Sequence, residues 1–149
     1  AVIGAGGVAR AIVAGLSNAG ADITIYNRTL KKAAALANEF GCRYTHLNDL
    51  PEINASLLIN CTSIGMYPDI DAAPVTGEVL NKNMAVFDTV YNPAKTTLLK
   101  LARAKRAKTI DGVSMFVNQA MAQFRLFTGK NADAQKMRRI VTKFLVTNG

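Results

Sequence analysis

The segment GAGGVA, residues 4–9, constrains the fold of this chain more than any other. It follows an apolar AVI at residues 1–3, opens a helical pattern, and puts Gly4, Gly6 and Ala9 in a G-x-G-x-x-G/A frame. Gly4 permits a tight strand-to-helix turn, Gly6 lets backbone come close to a diphosphate, and a small side chain at Ala9 lets helix and strand pack closely. Unpaired N–H groups and the positive end of the helix then point where phosphates would sit, with Ala5, Gly7 and Val8 completing the turn. Such a frame can also reflect tight packing alone. Its place between a strand and a helix, ahead of a second strand, makes dinucleotide binding the expectation.

The end of the second strand bears on which dinucleotide. A carboxylate there accepts from the ribose 2′-hydroxyl of NAD and repels a 2′-phosphate. This chain has YNRTLKK at residues 26–32 instead. Asn27 and Thr29 can donate hydrogen bonds, Arg28 offers a planar fork to a phosphate and a face to adenine, and Lys31 and Lys32 add positive charge. The expected cofactor is NADP. Thr29 can also cap the helix that follows.

Runs rich in β-branched residues alternate with helical patterns, as in βαβ units on a parallel sheet. Strands are expected at residues 1–3, 22–27, 42–45, 55–60, 85–90 and 108–110. Helical patterns fill 8–20, 29–40 and 96–107, the first two ending at Gly20 and Gly41. The predicted fold is α/β, a Rossmann-type doubly wound parallel sheet of about six strands with helices on both faces. Two further helices, at 112–130 and 132–145, follow with no strand after them. In the last, Met137, Ile140, Val141, Phe144 and Leu145 lie opposite Lys136, Arg138 and Lys143, a stripe expected to pack onto the sheet rather than lie on a membrane. Pro68, Pro74, Gly65 and Gly77 break both periodicities and mark residues 63–78 as a loop.

A chain of 149 residues with half its composition apolar can bury one core, which predicts a single domain. The net charge of +8 admits nucleic acid, an anionic cofactor or a basic face. Because the basic residues are dispersed and no aromatic ladder interleaves them, nucleic acid is not expected. No secretory segment or long apolar run is present in the sequence, so neither a membrane partner nor export is expected, and a cytoplasmic location follows. Cys42 and Cys61 lack CxxC spacing and read as buried thiols in a reducing compartment. His46, the only histidine, reads as a surface loop residue, and no metal site is expected.

GAGGVARA followed by YNRTLKKAAALANEF resembles both shikimate dehydrogenases and glutamyl-tRNA reductases. INCTSIGM at 59–66, FDTVYNPAKTTLL at 87–99 and DGVSMFVNQAMAQFRLFTG at 111–129 resemble shikimate dehydrogenase motifs, including those of quinate/shikimate dehydrogenases, in order and spacing over nearly the whole chain. The resemblance implies that Thr62 and Ser63 line the ribose–nicotinamide side of the cofactor, and that Thr89, Gly112 and Met115 pack about the nicotinamide. Family members often carry Met or another apolar residue where Thr89 stands. Tyr91 and Gln119 match substrate-contacting positions, and a phenol and an amide can hydrogen-bond a polyhydroxylated acid without adding charge. From the residues alone, Gln119 also fits the exposed side of a helix, and Met115, Phe116 and Phe124 fit ordinary core; for Phe116 and Phe124 core is the expectation.

Reducing a ring carbonyl also needs a proton donor. In the family a lysine and aspartate pair in an amino-terminal domain supplies it, and no motif in residues 1–149 matches that domain. Asp88 and Asp111 lie near strand ends but read as structural hydrogen-bonding residues, so no catalytic residue is assigned in this chain. Three residues make a short first strand against the usual five or six. The chain is therefore expected to be the carboxyl-terminal NADP-binding portion of a larger dehydrogenase, sharing shikimate or 3-dehydroshikimate with an absent domain and inactive alone. Two other readings stay open: a non-catalytic NADP-responsive module, and the NADP domain of a glutamyl-tRNA reductase.

Overall fold

The computed structural model describes residues 1–148. Six strands form one sheet: β1 (Val2–Ile3), β2 (Thr24–Asn27), β3 (Arg43–His46), β4 (Leu57–Asn60), β5 (Ala85–Asp88) and β6 (Lys108–Ile110). Their order is β3-β2-β1-β4-β5-β6 and every adjacent pair is parallel. From β1 the chain winds outward through β2 and β3, then returns to β4 on the other side of β1 and winds outward again. The direction of winding reverses between β1 and β4, where open α/β sheets bind ligands beyond the strand carboxyl ends.

Alternate residues along each strand enter opposite layers. Val2, Ile25 and Ile59 pack with Ala9 and Val13 of α1 (Gly7–Asn18) and with Ala33, Leu36 and Ala37 of α2 (Leu30–Phe40). Ile3, Tyr26, Leu58 and Val86 face the other way, against Leu98, Leu99 and Ala102 of α3 (Thr97–Ala104) and against Leu50, Val75 and Leu80 of the connecting segments. Ile3, Ile25 and Leu58 are sealed from solvent, each contributing about 1.5–3 kcal/mol through burial. Helices thus cover both faces, as the alternation of patterns predicts.

The strand limits differ from expectation by one or two residues at several ends, for local reasons. β2 starts at Thr24, leaving Asp22 exposed to pair with Arg43 at 2.7 Å. β5 stops at Asp88, whose carboxylate takes the Val90 N–H at 3.1 Å. β3 extends to His46, which is no loop residue: its Nδ1 accepts from the Asn48 N–H at 3.2 Å and caps a 3-10 turn over Leu47–Glu52. α1 ends at Asn18 with Ala19 as its cap, two residues short of Gly20, whereas α2 does end against Gly41 in the left-handed region (φ 65°).

The tail forms α4 (Gly112–Thr128) and α5 (Ala134–Asn148). The expectation that α5 packs onto the sheet is corrected, since its main packing partner is α4, and Ile140 and Phe144 of its apolar stripe are exposed. Phe116 and Phe124 are not core either; both are more than a third exposed. The fully buried residues of α4 are Gly112, Val113 and Val117, all in its first two turns. Cys42 and Cys61 are free and half-buried rather than fully buried. Among the described residues no helix is long and apolar enough to cross a membrane, and no His/Cys/Asp/Glu cluster could hold a metal.

Candidate functional site

The glycine turn leaves the carboxyl end of β1, beside the turn that leaves β4. Gly4 has φ 106°, and a Cβ there would lie 3.1 Å from both the Cys61 carbonyl oxygen and the Thr62 methyl, so conformation and packing both require glycine. Gly6 and Gly7 are different. Neither has positive φ, and a Cβ on either would meet nothing within 4 Å. The fold itself does not require glycine there, and the space beside both is open. Ala9 is sealed against the sheet, as the frame predicts.

The amino end of α1 is likewise uncommitted. Gly6 is its N-cap, without a side-chain cap, and the first turn holds no acidic residue. The hydrogen-bond ladder starts with the Arg10 N–H donating to the Gly6 carbonyl at 3.0 Å, so the N–H groups of Gly7, Val8 and Ala9 precede it. A groove of about 440 Å³ opens here between α1 and α2, lined by Ala5, Gly6, Gly7, Lys32, Ala35 and Leu36 and rimmed by an Arg10–Glu39 ion pair at 2.6 Å.

At the end of β2 the Asn27 amide donates to the Thr29 carbonyl at 2.9 Å, which folds the chain back into α2. Thr29 occupies the N-cap position of α2 but makes no cap hydrogen bond, so the capping role expected of it does not form and its hydroxyl stays available. Arg28, Lys31 and Lys32 are exposed, and residues 27–32, which leave this strand end, include no acidic side chain.

The far wall rises from β4, β5 and β6. The Thr62 hydroxyl donates to Asn60 Oδ1 at 2.7 Å and accepts from the Ile64 N–H at 3.2 Å, whereas Ser63 is exposed. Thr89 is buried just beyond β5. A Cβ on Gly112 would lie 2.3 Å from the Val90 carbonyl oxygen and 2.7 Å from that of Thr89, so only glycine lets α4 start against the end of β5. Tyr91 is exposed, with its ring centroid 5.1 Å from that of Phe116. Met115 and Gln119 line a second groove, of about 420 Å³, with Phe87, Ile110, Ser114 and Asn118. The predicted residues thus divide: Ala5, Gly6, Gly7 and Lys32 share one groove, Met115 and Gln119 another, and Arg28, Thr62, Ser63, Thr89 and Tyr91 line neither. A third cavity of about 390 Å³, reached by Ala1, Asp22, Asn54 and Ser56, lies at the opposite strand ends and includes none of them.

Both aspartates near the strand ends are structural hydrogen-bonding residues. Asp88 is sealed, accepting from Asn60, Val90 and Thr96; burial raises its pKa and these bonds lower it, with burial prevailing. Asp111 caps α4 by accepting from the Ser114 N–H at 2.7 Å, and also pairs with Arg138. Burial pulls the Asp111 pKa up, but the bonds from Arg138 and Ser114 and the Arg138 charge together hold it below the usual value. Burial, with a smaller contribution from the Asp88 charge, pushes the Cys61 thiol up to about 12, so at neutral pH it is not a nucleophile. The partners of Arg10, Asn60 and Arg138 were not legible in the sequence, since each lies far along the chain.

The sequence pattern of the shikimate / quinate 5-dehydrogenase family matches residues 1–92, and that of the shikimate 5′-dehydrogenase C-terminal domain matches residues 112–142. The NADP(+) shikimate dehydrogenase of Methanosarcina mazei is 45% identical over 97% of this chain and 55% of its own length. The shikimate 5-dehydrogenase of Thermus thermophilus, solved in complex with NADP(H) and shikimate, superimposes with a TM-score of 0.86 at 38% identity, over 97% of this chain and 54% of the other. A quinate dehydrogenase from Corynebacterium glutamicum, solved with NAD, gives a TM-score of 0.84 at 32% identity, over 93% of this chain and 52% of the other. The chain spans about half the length of the curated relatives it matches.

Proposed function

The chain belongs to the shikimate / quinate 5-dehydrogenase family, and from that premise we propose that it is the NADP(H)-binding domain of a dehydrogenase that interconverts 3-dehydroshikimate and shikimate. One observation carries the cofactor reading: an amino end of α1 left open by Gly6 and Gly7 stands next to a β2 end that runs into Arg28 with no acidic residue in the turn.

The residues fit such a cofactor. Open space beside Gly6 and Gly7 admits a diphosphate to the free N–H groups of α1, where the helix dipole favours negative charge. Arg28 and Lys32, with the free hydroxyl of Thr29, supply charge and a donor for a 2′-phosphate. Asn27 contributes through the turn its amide bond fixes. Thr62, Ser63, Thr89, Gly112 and Met115 border the nicotinamide half, and Tyr91 and Gln119 offer a phenol and an amide to a hydroxylated acid. When bound, the reduced dinucleotide supplies the hydride that the substrate carbonyl accepts. The proton for the developing alkoxide is assigned to groups outside residues 1–149, since Asp88 and Asp111 are committed to structural hydrogen bonds. The chain alone is accordingly expected to turn over shikimate and NADP negligibly.

Titration calorimetry of the chain with NADPH and NADH, as wild type and as Arg28→Ala, tests the reading. NADPH affinity is expected to fall by more than about tenfold, the worth of a charge-assisted pair, and NADH affinity to change little. Equal losses for the two cofactors would remove the 2′-phosphate assignment.

A further inference from the structure

Asn60 and Asp88 are the last residues of β4 and β5 and stand opposite each other in register. Both side chains are fully buried, with Asn60 Nδ2 donating to Asp88 Oδ1 at 3.0 Å. Each then fixes the turn that leaves its own strand. Asn60 Oδ1 accepts from the Thr62 N–H at 3.0 Å and from its hydroxyl at 2.7 Å, and Asp88 Oδ1 accepts from the Val90 N–H at 3.1 Å. The other carboxylate oxygen accepts from the buried Thr96 hydroxyl at 2.6 Å, which in turn accepts from the Leu99 N–H at the start of α3. No buried side-chain polar atom among the described residues is left without a partner.

An apolar pair of similar size would fill this space without the cost of taking a carboxylate out of water. What a polar pair adds is direction, because a hydrogen bond fixes angle and separation as apolar contact does not. Here the directions it sets are those of the two turns forming the far wall.

We propose that Asn60 and Asp88 are positioning residues, a buried brace that fixes the Thr62–Ser63 turn relative to the Thr89–Tyr91 turn and so shapes the nicotinamide half of the cofactor site while leaving the adenosine half untouched. This rests on the cofactor reading above. The two halves separate because the adenosine half is built on α1, β2 and α2, none of which bonds to either side chain.

The test titrates the full chain with NADPH and with adenosine 2′,5′-bisphosphate, which lacks the nicotinamide half. In Asp88→Asn the new amide N–H faces the Thr96 hydroxyl, and in Thr96→Val the donor to Asp88 is gone; Thr96→Ser keeps it. Asp88→Asn and Thr96→Val are each expected to lower NADPH affinity on the order of tenfold, about what one or two misaligned hydrogen bonds to the nicotinamide half are worth. Affinity for the bisphosphate should stay within about twofold. Thr96→Ser should behave as wild type for both ligands. If Asp88→Asn fails to fold, Thr96→Val carries the same comparison from the α3 side of the brace, away from the wall. Parallel loss of both ligands, or loss of neither, would overturn the brace. A wild-type chain that binds neither ligand would instead bring down the cofactor reading, and the brace with it.

Discussion

Arg138, in the second turn of the last helix, reaches back to the start of α4 and pairs with Asp111 at 2.8 Å, while a second guanidinium nitrogen donates to the Ser114 hydroxyl at 2.7 Å. The pair ties α5 to the cap of the helix that carries Gly112, Met115 and Gln119. A carboxylate whose folded pKa lies below its unfolded value adds stability that is complete above the unfolded value and is lost as pH falls through the folded one. Asp111 is such a group, held low chiefly by Arg138 and Ser114 against the opposing effect of burial. Arg138→Gln should therefore move acid unfolding, followed by circular dichroism, to higher pH. With Arg138 half exposed, the loss at neutral pH should not exceed about 1 kcal/mol. An unchanged acid midpoint would show that the pair does not stabilise the fold.

Three glycines should answer differently to alanine. Gly112→Ala drives a Cβ into the Val90 carbonyl and should cost more than about 3 kcal/mol or prevent folding. Gly4→Ala should cost about 1–3 kcal/mol through its positive φ. Gly6→Ala should melt within about 1 kcal/mol of wild type, having only an N-cap preference to lose, yet lose NADPH affinity at least about tenfold. Thermal melts beside titrations separate these outcomes, and a Gly6→Ala chain that binds NADPH normally would refute the diphosphate placement.

Neighbouring hydroxyls on the β4 turn have different work. The Thr62 hydroxyl is engaged within the protein, so Thr62→Val should cost about 1 kcal/mol of stability. Ser63 is exposed, so Ser63→Ala should leave the melting temperature alone and weaken NADPH a few-fold, about the worth of one neutral hydrogen bond. A reversal of the two phenotypes in paired melts and titrations would exchange the assignments.

Cys61, with its thiol pushed up to about 12, is almost wholly protonated near neutrality. Iodoacetamide at about pH 8 should label it far more slowly than a free cysteine, whose pKa is about 8.5, and denaturant should abolish the protection. Mass spectrometry of the Cys61 peptide reads this directly; rapid labelling in the folded chain would contradict the burial.

The sequence was most legible where one residue type has one physical reason. The frame of Gly4 and Ala9, and the β-branched runs around Ile25, Ile59 and Val86, led to a six-stranded parallel sheet covered on both faces. Strand ends were less legible, because Thr89 and Val90 have strand-like character but Asp88 diverts the backbone with its own side chain. Phe116 and Phe124 sit at core-like spacing, yet α4 buries only residues of its first two turns, and spacing within a helix does not reveal which neighbours cover it. Of the candidate site, the glycine turn and the cations after β2 could be read directly. The bonds that frame it could not, since Arg10 meets Glu39 across 29 positions, Asn60 meets Asp88 across 28, and Arg138 meets Asp111 across 27. Such pairs are set by the tertiary fold, which no local spacing reveals.

The seat of Gly112 on the Val90 carbonyl means that main chain alone, with no side chain interposed, sets how near α4 comes to the fifth strand. Met115 and Gln119 ride on that fixed mount, one and two turns further along. Exchanging either for another side chain would re-letter the lining of the groove they share while the scaffold keeps its dimensions.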